Sequence, residues 1–263
     1  MDMKETLRYT VTEEDLDSTG YMSPCALIQQ LVLAATLRNK EEGASKGNLK
    51  AKLNAVWMFR RIKLEQYLPF ALGDELVGYA SGRTNCETEY VLRGEFMKDG
   101  VLAARIDLVM MPVLLKGRNR LTCKDIEPLY TTSPLNEVPN FKRLLTRDVE
   151  YTTEKTITKD DCDKNAAHFA FHNYAELVCR ETGYWDGEYR MLSKLRIDYI
   201  KECVTGNTIK MGVIPRGEGF TVQGIHMDGK PCFNAYCEYK APGAGAEIHY
   251  FVKKYGLIPI YMV

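Results

Sequence analysis

The sequence predicts an α+β fold in which one structural unit occurs twice, each unit being a long helix wrapped by an antiparallel sheet. Three observations lead to this prediction. A strongly apolar helical segment precedes a run of alternating strands in the first half of the chain, and the same order of elements returns in the second half. In addition, residues 64–76 match residues 197–209 position by position, at a constant spacing. The 263 residues are long enough for two such domains.

The first helix is predicted over residues 26–37, with its end near Gly43. Ser23 offers a hydroxyl for the N-cap, and Pro24 suits the first helical position, where no amide hydrogen is needed. Apolar residues occur on most faces of this segment, which is typical of a helix that is covered on all sides. The polar residues from Ala44 to Lys52 predict a loop after it.

The strands of the first half follow from the alternation of apolar and polar side chains. The chain opens with an extended segment at Leu7–Thr12. Strands are then predicted at Val56–Tyr67, Leu76–Cys86, Glu89–Lys98 and Val101–Val113. Asp99-Gly100 predicts a hairpin turn between the last two strands. The first half is therefore one long helix followed by an antiparallel meander.

A polar, turn-rich stretch then interrupts the pattern, with a short helix predicted at residues 124–129. We place an N-terminal repeat at residues 1–131, a linker at residues 132–146 and a C-terminal repeat at residues 147–263. The second repeat has the order of the first, and Asp228-Gly229 predicts its hairpin turn. Its predicted elements are a strand at 149–157, a helix at 169–182 and strands at 191–201, 208–215, 220–227, 232–239 and 248–252.

A helix that is apolar on most faces has to be covered on most sides, and a sheet that curves around it provides that cover. This arrangement is the hot-dog fold. One hot dog normally pairs its sheet with that of another, so two in one chain form the pair internally. The sequence thus predicts a tandem double hot-dog. Association of two such chains into a homodimer stays open.

The bulk composition argues against several classes of partner. Lysine plus arginine and aspartate plus glutamate each number 35, so the net charge gives no support for nucleic acid binding. No apolar run approaches the roughly 18 residues of a membrane span, and the start of the sequence lacks the apolar core of a secretory signal. We therefore expect a cytoplasmic protein without a membrane partner. The eight cysteines form no CxxC pair, so no zinc site, disulfide framework or cofactor is expected.

Two polar clusters in the second half carry residue types that catalysis needs. Asp163, Asn165 and His168 lie at the predicted start of the second helix, and Glu202 and Cys203 follow at the end of a strand. Backbone amides at a helix start can stabilise a carbonyl oxygen as it becomes an oxyanion. An amide and an imidazole there can orient a carbonyl or a water, while a carboxylate on a neighbouring strand accepts a proton as general base. These parts suit the attack of water on an acyl group.

The internal repeat supplies a control for this prediction. At the spacing that relates the two repeats, Pro69 and Phe70 stand opposite Glu202 and Cys203, so the first repeat has neither an acid nor a nucleophile at that point. The entrance of its helix also lacks a histidine. A single active site is therefore predicted in the second repeat.

With these features in place, the chain resembles the acyl-acyl-carrier-protein thioesterases of bacteria and plants over nearly its whole length. The residues that carry the resemblance are Asp17, Gly20, Ser23 and Pro24 near the start, Trp57 with Gly73-Asp74 downstream, Tyr174-Ala175-Glu176 on the second helix and, above all, the 195–203 segment that ends in Glu202-Cys203.

The resemblance implies a tandem hot-dog hydrolase that releases free fatty acids from acyl carrier protein. It also implies the site residues, which are Asp163, Asn165, His168, Glu202 and Cys203. The end of the acyl channel is expected at Trp57, Met58 and Phe59 or at the helix over residues 26–37.

The resemblance is looser at the histidine. The family pattern Asp-x-Asn-x-His occurs here as Asp163-x-Asn165-x-x-His168, with one more residue before the histidine. Either the loop has a one-residue bulge, or the roles are redistributed and His172 takes part.

The roles of the other reactive side chains follow from their chemistry. Cys203 is either a nucleophile or a buried neighbour that shapes the site. We favour Glu202 acting on a water, with Cys203 as the neighbour. His226 and His249 lie in predicted strands without a partner spacing and are expected to be structural.

Two further classes of function stay open on the sequence. One is a related hot-dog enzyme, either an acyl-CoA thioesterase or a dehydratase, and the other is a non-catalytic acyl-binding protein. Acyl carrier protein is the expected partner of the favoured function. The basic clusters that could dock its acidic surface are Arg60-Arg61-x-Lys63, Lys142-Arg143 and Lys253-Lys254, and the alternative for each is an ordinary solvated face.

Overall fold

A computed structural model of the chain describes residues 5–41, 46–127, 129–130, 133–134, 144, 149–163, 168–183 and 191–240. Several predicted features lie wholly or mostly outside these residues: Asn165, the strand at 248–252 and the linker at 132–146. The boundaries of the two repeats therefore stay predictions. Among the described helices, none is long and apolar enough to cross a membrane.

The first repeat contains the predicted helix and meander. Its strands are β1 (Glu5–Thr10), β2 (Ala55–Gln66), β3 (Glu75–Cys86), β4 (Glu89–Lys98) and β5 (Val101–Leu114). Its helices are α1 (Pro24–Glu41), α2 (Lys46–Leu53) and α3 (Cys123–Ile126), with a 3-10 turn at Glu13–Asp15. A two-residue strand, β6 (Ser133–Pro134), pairs in parallel with β3.

The second repeat follows the same order. It consists of β7 (Thr153–Thr156), α4 (Asn173–Glu181), β8 (Met191–Tyr199), β9 (Thr208–Arg216), β10 (Gly219–His226) and β11 (Pro231–Lys240). Both predicted Asp-Gly turns are present, since β4 is joined to β5 and β10 to β11 as antiparallel neighbours.

All the strands in the described part of the chain belong to one sheet, in the order β1-β3-β4-β5-β2-β8-β11-β10-β9-β7, with β6 beside β3. The two repeats meet where β2 pairs antiparallel with β8. Lys63 lies opposite Arg196 at this junction, and these two positions correspond to each other in the sequence repeat. Each repeat therefore offers the same strand to the other, as the subunits of a two-fold symmetric dimer do. The join is the internal pairing that the sequence predicts.

Helix α1 packs on the sheet of the first repeat. Ser23 caps it as predicted, because its Oγ accepts a hydrogen bond of 3.0 Å from the amide of Ala26. Leu27, Ile28 and Leu31 are completely buried. On β4, Gly94 lies under Leu31, and a Cβ at this position would be 2.6 Å from Leu31 Cδ1. The glycine therefore allows the helix and the sheet to approach closely.

The loop predicted from Ala44 to Lys52 is wrong, because helix α2 occupies Lys46–Leu53. Leu49 is almost fully buried and Leu53 is partly buried against the main core. Residues four apart lie on the same face of a helix, so this pair gives an otherwise polar segment one apolar face against the neighbouring strand β2. Packing of two leucines outweighs the polar composition.

Helix α4 begins at Asn173, later than the predicted start at residue 169. In front of it, residues 168–169 form bridges with other segments and residues 171–172 form a turn. The amide of Phe169 donates to the Cys203 carbonyl at 2.8 Å, and that of Ala170 donates to the Asp161 carbonyl at 3.0 Å. The polar cluster of the second repeat therefore precedes the helix and does not form its first turn.

Candidate active site

A pair of backbone contacts holds the candidate site. His168 forms an antiparallel bridge with Val204, and the amide of Phe169 donates to the carbonyl of Cys203. These contacts place the segment around His168 directly beside the segment that carries Glu202. Two segments far apart in the chain are thus brought together by main-chain hydrogen bonds.

The first repeat holds the corresponding backbone in the same way. Tyr21 bridges Ala71, and the amide of Met22 donates to the Phe70 carbonyl at 2.7 Å. His168 therefore occupies the place that Tyr21 has in the first repeat. The scaffold is common to both halves, and only the second half carries an imidazole and a carboxylate on it.

The same comparison locates the additional residue before the histidine. The amide of Asp17 donates to the Tyr21 carbonyl at 2.9 Å in the first repeat, and the amide of Asp163 donates to the His168 carbonyl at 3.1 Å in the second. Three residues are enclosed in the first case and four in the second. The additional residue therefore lies within residues 164–167, and the hydrogen bond that encloses this segment is the same in both repeats.

His168 and Glu202 form the centre of the site. The His168 Nδ1 atom lies 3.8 Å from Glu202 Oε2, and the two side chains are 49% and 47% exposed. This distance is longer than a hydrogen bond, but the two groups are close enough to contact one water together. The exposure leaves the Glu202 carboxylate accessible to a substrate.

Arg118 is a member of the site that the sequence analysis missed. Its Nη1 lies 3.4 Å from Glu202 Oε1. It lies in the turn after β5 of the first repeat, where both Gly117 and Arg118 have positive φ values of 80° and 55°. The turn glycine after a long strand was visible in the sequence. Nothing in a single sequence shows that this turn reaches the other repeat.

Cys203 follows Glu202 in the chain, yet its side chain points into the core and the residue is 1% exposed. A hydrogen bond with the Cys232 thiol lowers the pKa of Cys203, burial raises it, and a hydrogen bond with the Tyr174 hydroxyl lowers it further. The same thiol–thiol contact and burial raise the pKa of Cys232. The His226 Nε2 atom is 3.9 Å from Cys203 Sγ, so this histidine does have a partner.

Asp163 interacts with His172. Burial lowers the pKa of His172, and the negative charge of Asp163 raises it. His172 is the residue immediately before α4, and its ring meets that of Phe171 edge to face at 5.5 Å. Of the predicted site residues, His168 and Glu202 lie close together, and the side chain of Cys203 is buried. The charge of Asp163 raises the pKa of His172.

The start of α4 is partly occupied by its own contacts. The amide of Asn173 donates to the Ala170 carbonyl and that of Ala175 to the His172 carbonyl, both at 3.0 Å. The side chain of Asn173 also donates to the Asp161 carbonyl. These two amides are therefore committed to the first turn, and an oxyanion role for the helix entrance stays a prediction.

Two aromatic residues of β2, Trp57 and Phe59, contact other aromatic rings. Phe59 on β2 stacks on Phe171 with ring centroids 4.3 Å apart. Trp57 on the same strand contacts Tyr90 at 5.1 Å and Tyr130 at 5.4 Å. Phe59 of the first repeat thus contacts the second repeat at Phe171, in the segment that follows His168.

The overall structure is similar to that of an acyl-ACP thioesterase from Bacteroides thetaiotaomicron VPI-5482, with a TM-score of 0.79, 13% identity and coverage of 89% of this chain and 96% of that one. It is also similar to the 12:0-ACP thioesterase from Umbellularia californica, with a TM-score of 0.75, 15% identity and coverage of 89% and 96%. No protein-family model and no curated protein matches the sequence. The structural similarity confirms the double hot-dog fold, and at these identities it concerns the fold alone.

Proposed function

We propose that this protein is a thioester hydrolase that releases free fatty acids from acyl carrier protein. The observation that carries the proposal is the accessible Glu202 carboxylate with His168 3.8 Å away, present in one repeat only. The two similar structures described above are named as thioesterases acting on acyl-ACP. This chain has the same fold as those two structures. It also has an accessible carboxylate and an imidazole close together, and these are groups that can activate water for hydrolysis of an acyl thioester.

In this mechanism Glu202 accepts a proton from a water, and the oxygen of that water attacks the thioester carbonyl carbon. The carbonyl oxygen carries the negative charge of the tetrahedral intermediate. The carbon–sulfur bond then breaks, and the sulfur leaves as a thiol after taking up a proton. His168 lies close enough to hold the same water or to pass that proton. Asn165 keeps its predicted role in orienting the carbonyl or the water, and Asp163 stays a predicted member of the site.

Cys203 has a supporting role in this proposal. A nucleophilic sulfur must reach the acyl carbon, and a residue that is 1% exposed beneath the surface does not present its side chain to a substrate. Its carbonyl instead holds Phe169 beside the Glu202 segment. We therefore assign the chemistry to Glu202 and a water.

Acyl carrier protein is the proposed partner. Burial lowers the pKa of Arg60, the positive charges of Arg61 and Arg120 lower it further, and the negative charges of Glu89 and Asp198 raise it. Arg61 pairs with Glu89, and Arg118 pairs with Glu202. In our proposal these four arginines form the basic surface that an acidic carrier protein contacts. The other two basic pairs, at 142–143 and 253–254, lie outside the described residues.

The proposal is tested by incubating the full chain with acyl-ACP and acyl-CoA substrates of several lengths and measuring the free thiol released. Thiol release that is faster from acyl-ACP, and lost in Glu202→Gln, supports it. Preference for acyl-CoA would reassign the substrate. No release from either, with acyl-ACP still bound, would make the chain a binding protein.

Added salt gives a second test of the partner. Association with a carrier protein through exposed charges weakens as ionic strength rises, whereas turnover of a small acyl-pantetheine substrate depends on salt much less. Equal salt dependence for both substrates would count against docking through the basic surface.

A further inference from the structure

Three side chains that ligate metals converge beneath the candidate active site. They are Cys203, His226 and Cys232, and their sulfur and nitrogen atoms all lie within 4.8 Å of one another. All three residues are buried. We propose that this cluster is a binding site for a thiophilic metal ion, with Zn²⁺ as the ion that the donor set fits best.

The distances in the cluster fit such an ion. Zinc bonds of about 2.3 Å to sulfur and about 2.0 Å to nitrogen, in tetrahedral geometry, place a sulfur and a nitrogen about 3.6 Å apart. The observed separation between Cys203 Sγ and His226 Nε2 is 3.9 Å. This pair therefore needs a shift of a few tenths of an ångström, and the remaining donor separations are below 4.8 Å.

The main chain fixes the three donors relative to one another. The amide of Ile200 donates to the Cys232 carbonyl at 2.8 Å, which ties the segment before Cys203 to the start of β11. The amide of His226 donates to the Lys230 carbonyl at 2.9 Å and closes the hairpin that places His226 beside Cys232. The ligands are thus preorganised by sheet and turn hydrogen bonds.

Charge and outer contacts also suit a metal. Two thiolates balance the charge of a divalent zinc ion, so the buried complex is neutral and avoids the cost of an isolated charge. Metal-bound histidines commonly have an outer contact that fixes the orientation of the ring, and the main chain of Glu202 lies within hydrogen-bonding reach of His226, where it raises the pKa of this residue. The Tyr174 hydroxyl bonds to Cys203 and stands beside the site as an outer neighbour.

No spacing motif in the sequence indicates this site. The three ligands come from a segment after β8 and from the two strands of the β10–β11 hairpin, whereas zinc sites are usually recognised by two cysteines close together in the chain. In the part of the chain that the structure describes, these residues form the one group of three metal-ligating side chains whose donor atoms all lie within 4.8 Å of one another.

The site is independent of the proposed hydrolysis. The ion would link the segment after β8 with the β10–β11 hairpin and would lie below Glu202, out of contact with the substrate. We expect it to stabilise the backbone that carries Glu202, since an ion that binds only the folded chain favours the folded state.

The experiment uses the full chain, reduced, loaded with Zn²⁺ and freed of excess metal. Elemental analysis should give one zinc per chain, and loading with Co²⁺ should produce the thiolate-to-cobalt charge-transfer absorption of a sulfur-ligated ion. Cys232→Ser and His226→Gln should each weaken zinc binding by at least about 100-fold. Cys237→Ser, which alters another buried cysteine on β11, is the matched control and should bind normally.

Two results would overturn the proposal. One is a wild-type protein that takes up no stoichiometric zinc or gives no charge-transfer band with cobalt. The other is uptake that persists in both ligand variants, which would show adventitious binding elsewhere. Circular dichroism of each variant tests whether it is folded. If a variant does not fold, the cobalt spectrum of the wild-type protein still tests the site, because it does not depend on the variants.

Discussion

His168 and Glu202 come from segments on either side of α4 and β8, yet His168 Nδ1 and Glu202 Oε2 lie 3.8 Å apart on the surface of the second repeat. Neither residue is held by burial. Their proximity results from the backbone bridge between His168 and Val204. The first repeat has that bridge at Tyr21, with Pro69 at the position that corresponds to Glu202, so the scaffold does not depend on the catalytic side chains.

Glu202→Gln is expected to lower thioester hydrolysis by about 100- to 10,000-fold, because an amide cannot accept the proton of the attacking water. The side chain keeps its size, and it is about half exposed, so the fold should be unaffected. Cys203→Ala should retain most of the activity, since the sulfur is buried. Steady-state kinetics with one acyl-ACP substrate measures both variants. The reverse order of effects would make Cys203 the nucleophile.

Arg118→Gln tests whether the first repeat contributes to the site. Arg118 and Glu202 are 67% and 47% exposed, and ion pairs this exposed stabilise a protein by no more than about 1 kcal/mol. Urea unfolding should therefore be nearly unchanged. Turnover should fall several-fold, because the carboxylate loses the group that fixes one of its oxygens. Lys116→Gln, in the same turn, is the control, and an equal loss in both variants would argue for a general charge effect.

Much of the fold follows from local patterns in the sequence. The Ser23-Pro24 start of α1, the strands and the two Asp-Gly turns are decided by nearby residues, and the match between residues 64–76 and 197–209 revealed the repeat. Helix α2 was missed because its stability comes from Leu49 packing on another element. A polar composition cannot show that contact.

The site was predictable only in part, for a related reason. The repeat singles out Glu202 because it places Pro69 opposite that residue. The Glu202 carboxylate lies 3.8 Å from His168 Nδ1, and its catalytic role stays a prediction. The inward turn of Cys203, its contact with His226 and the approach of Arg118 all depend on how separate strands and turns pair. Contacts between segments far apart in the chain carry no local signal.

Stability should fall on mild acidification because of His172. Burial lowers the pKa of His172 in the folded state, whereas a histidine in the unfolded chain has a pKa of about 6.5. Above that pH the imidazole is neutral in both states and stability is full. As the pH falls below about 6.5, the unfolded chain gains a proton that the folded chain resists, and stability is lost.

His172→Gln should reduce this loss, since glutamine does not titrate. Urea unfolding at about pH 7.5 and about pH 5.5 measures it. Part of the loss should remain in the variant, because burial and the charge of Lys201 also lower the pKa of His226. Identical pH dependence in the variant and the parent would exclude His172 as a source.

The ion pair between Arg93 and Asp107 should be a main electrostatic contribution to the sheet of the first repeat. The guanidinium meets the carboxylate through two bonds, Nε to Oδ1 at 2.6 Å and Nη2 to Oδ2 at 3.0 Å. Asp107 is 4% exposed and Arg93 is 16% exposed. Asp107→Ala removes the buried carboxylate that accepts both bonds from Arg93, and breaking such a pair is expected to cost up to about 3–5 kcal/mol of unfolding free energy.

Glu65→Gln is the matched control for this prediction, because it breaks another ion pair on a strand, the one between Glu65 and Lys63. The Glu65 side chain is 25% exposed and the Lys63 side chain is 37% exposed. Its expected cost is below about 1 kcal/mol, since solvent already screens the two charges. Urea unfolding of both variants in the same buffer gives the comparison. If the two substitutions cost the same, burial does not set the strength of these pairs, and the Arg93–Asp107 contact would be one surface ion pair among several.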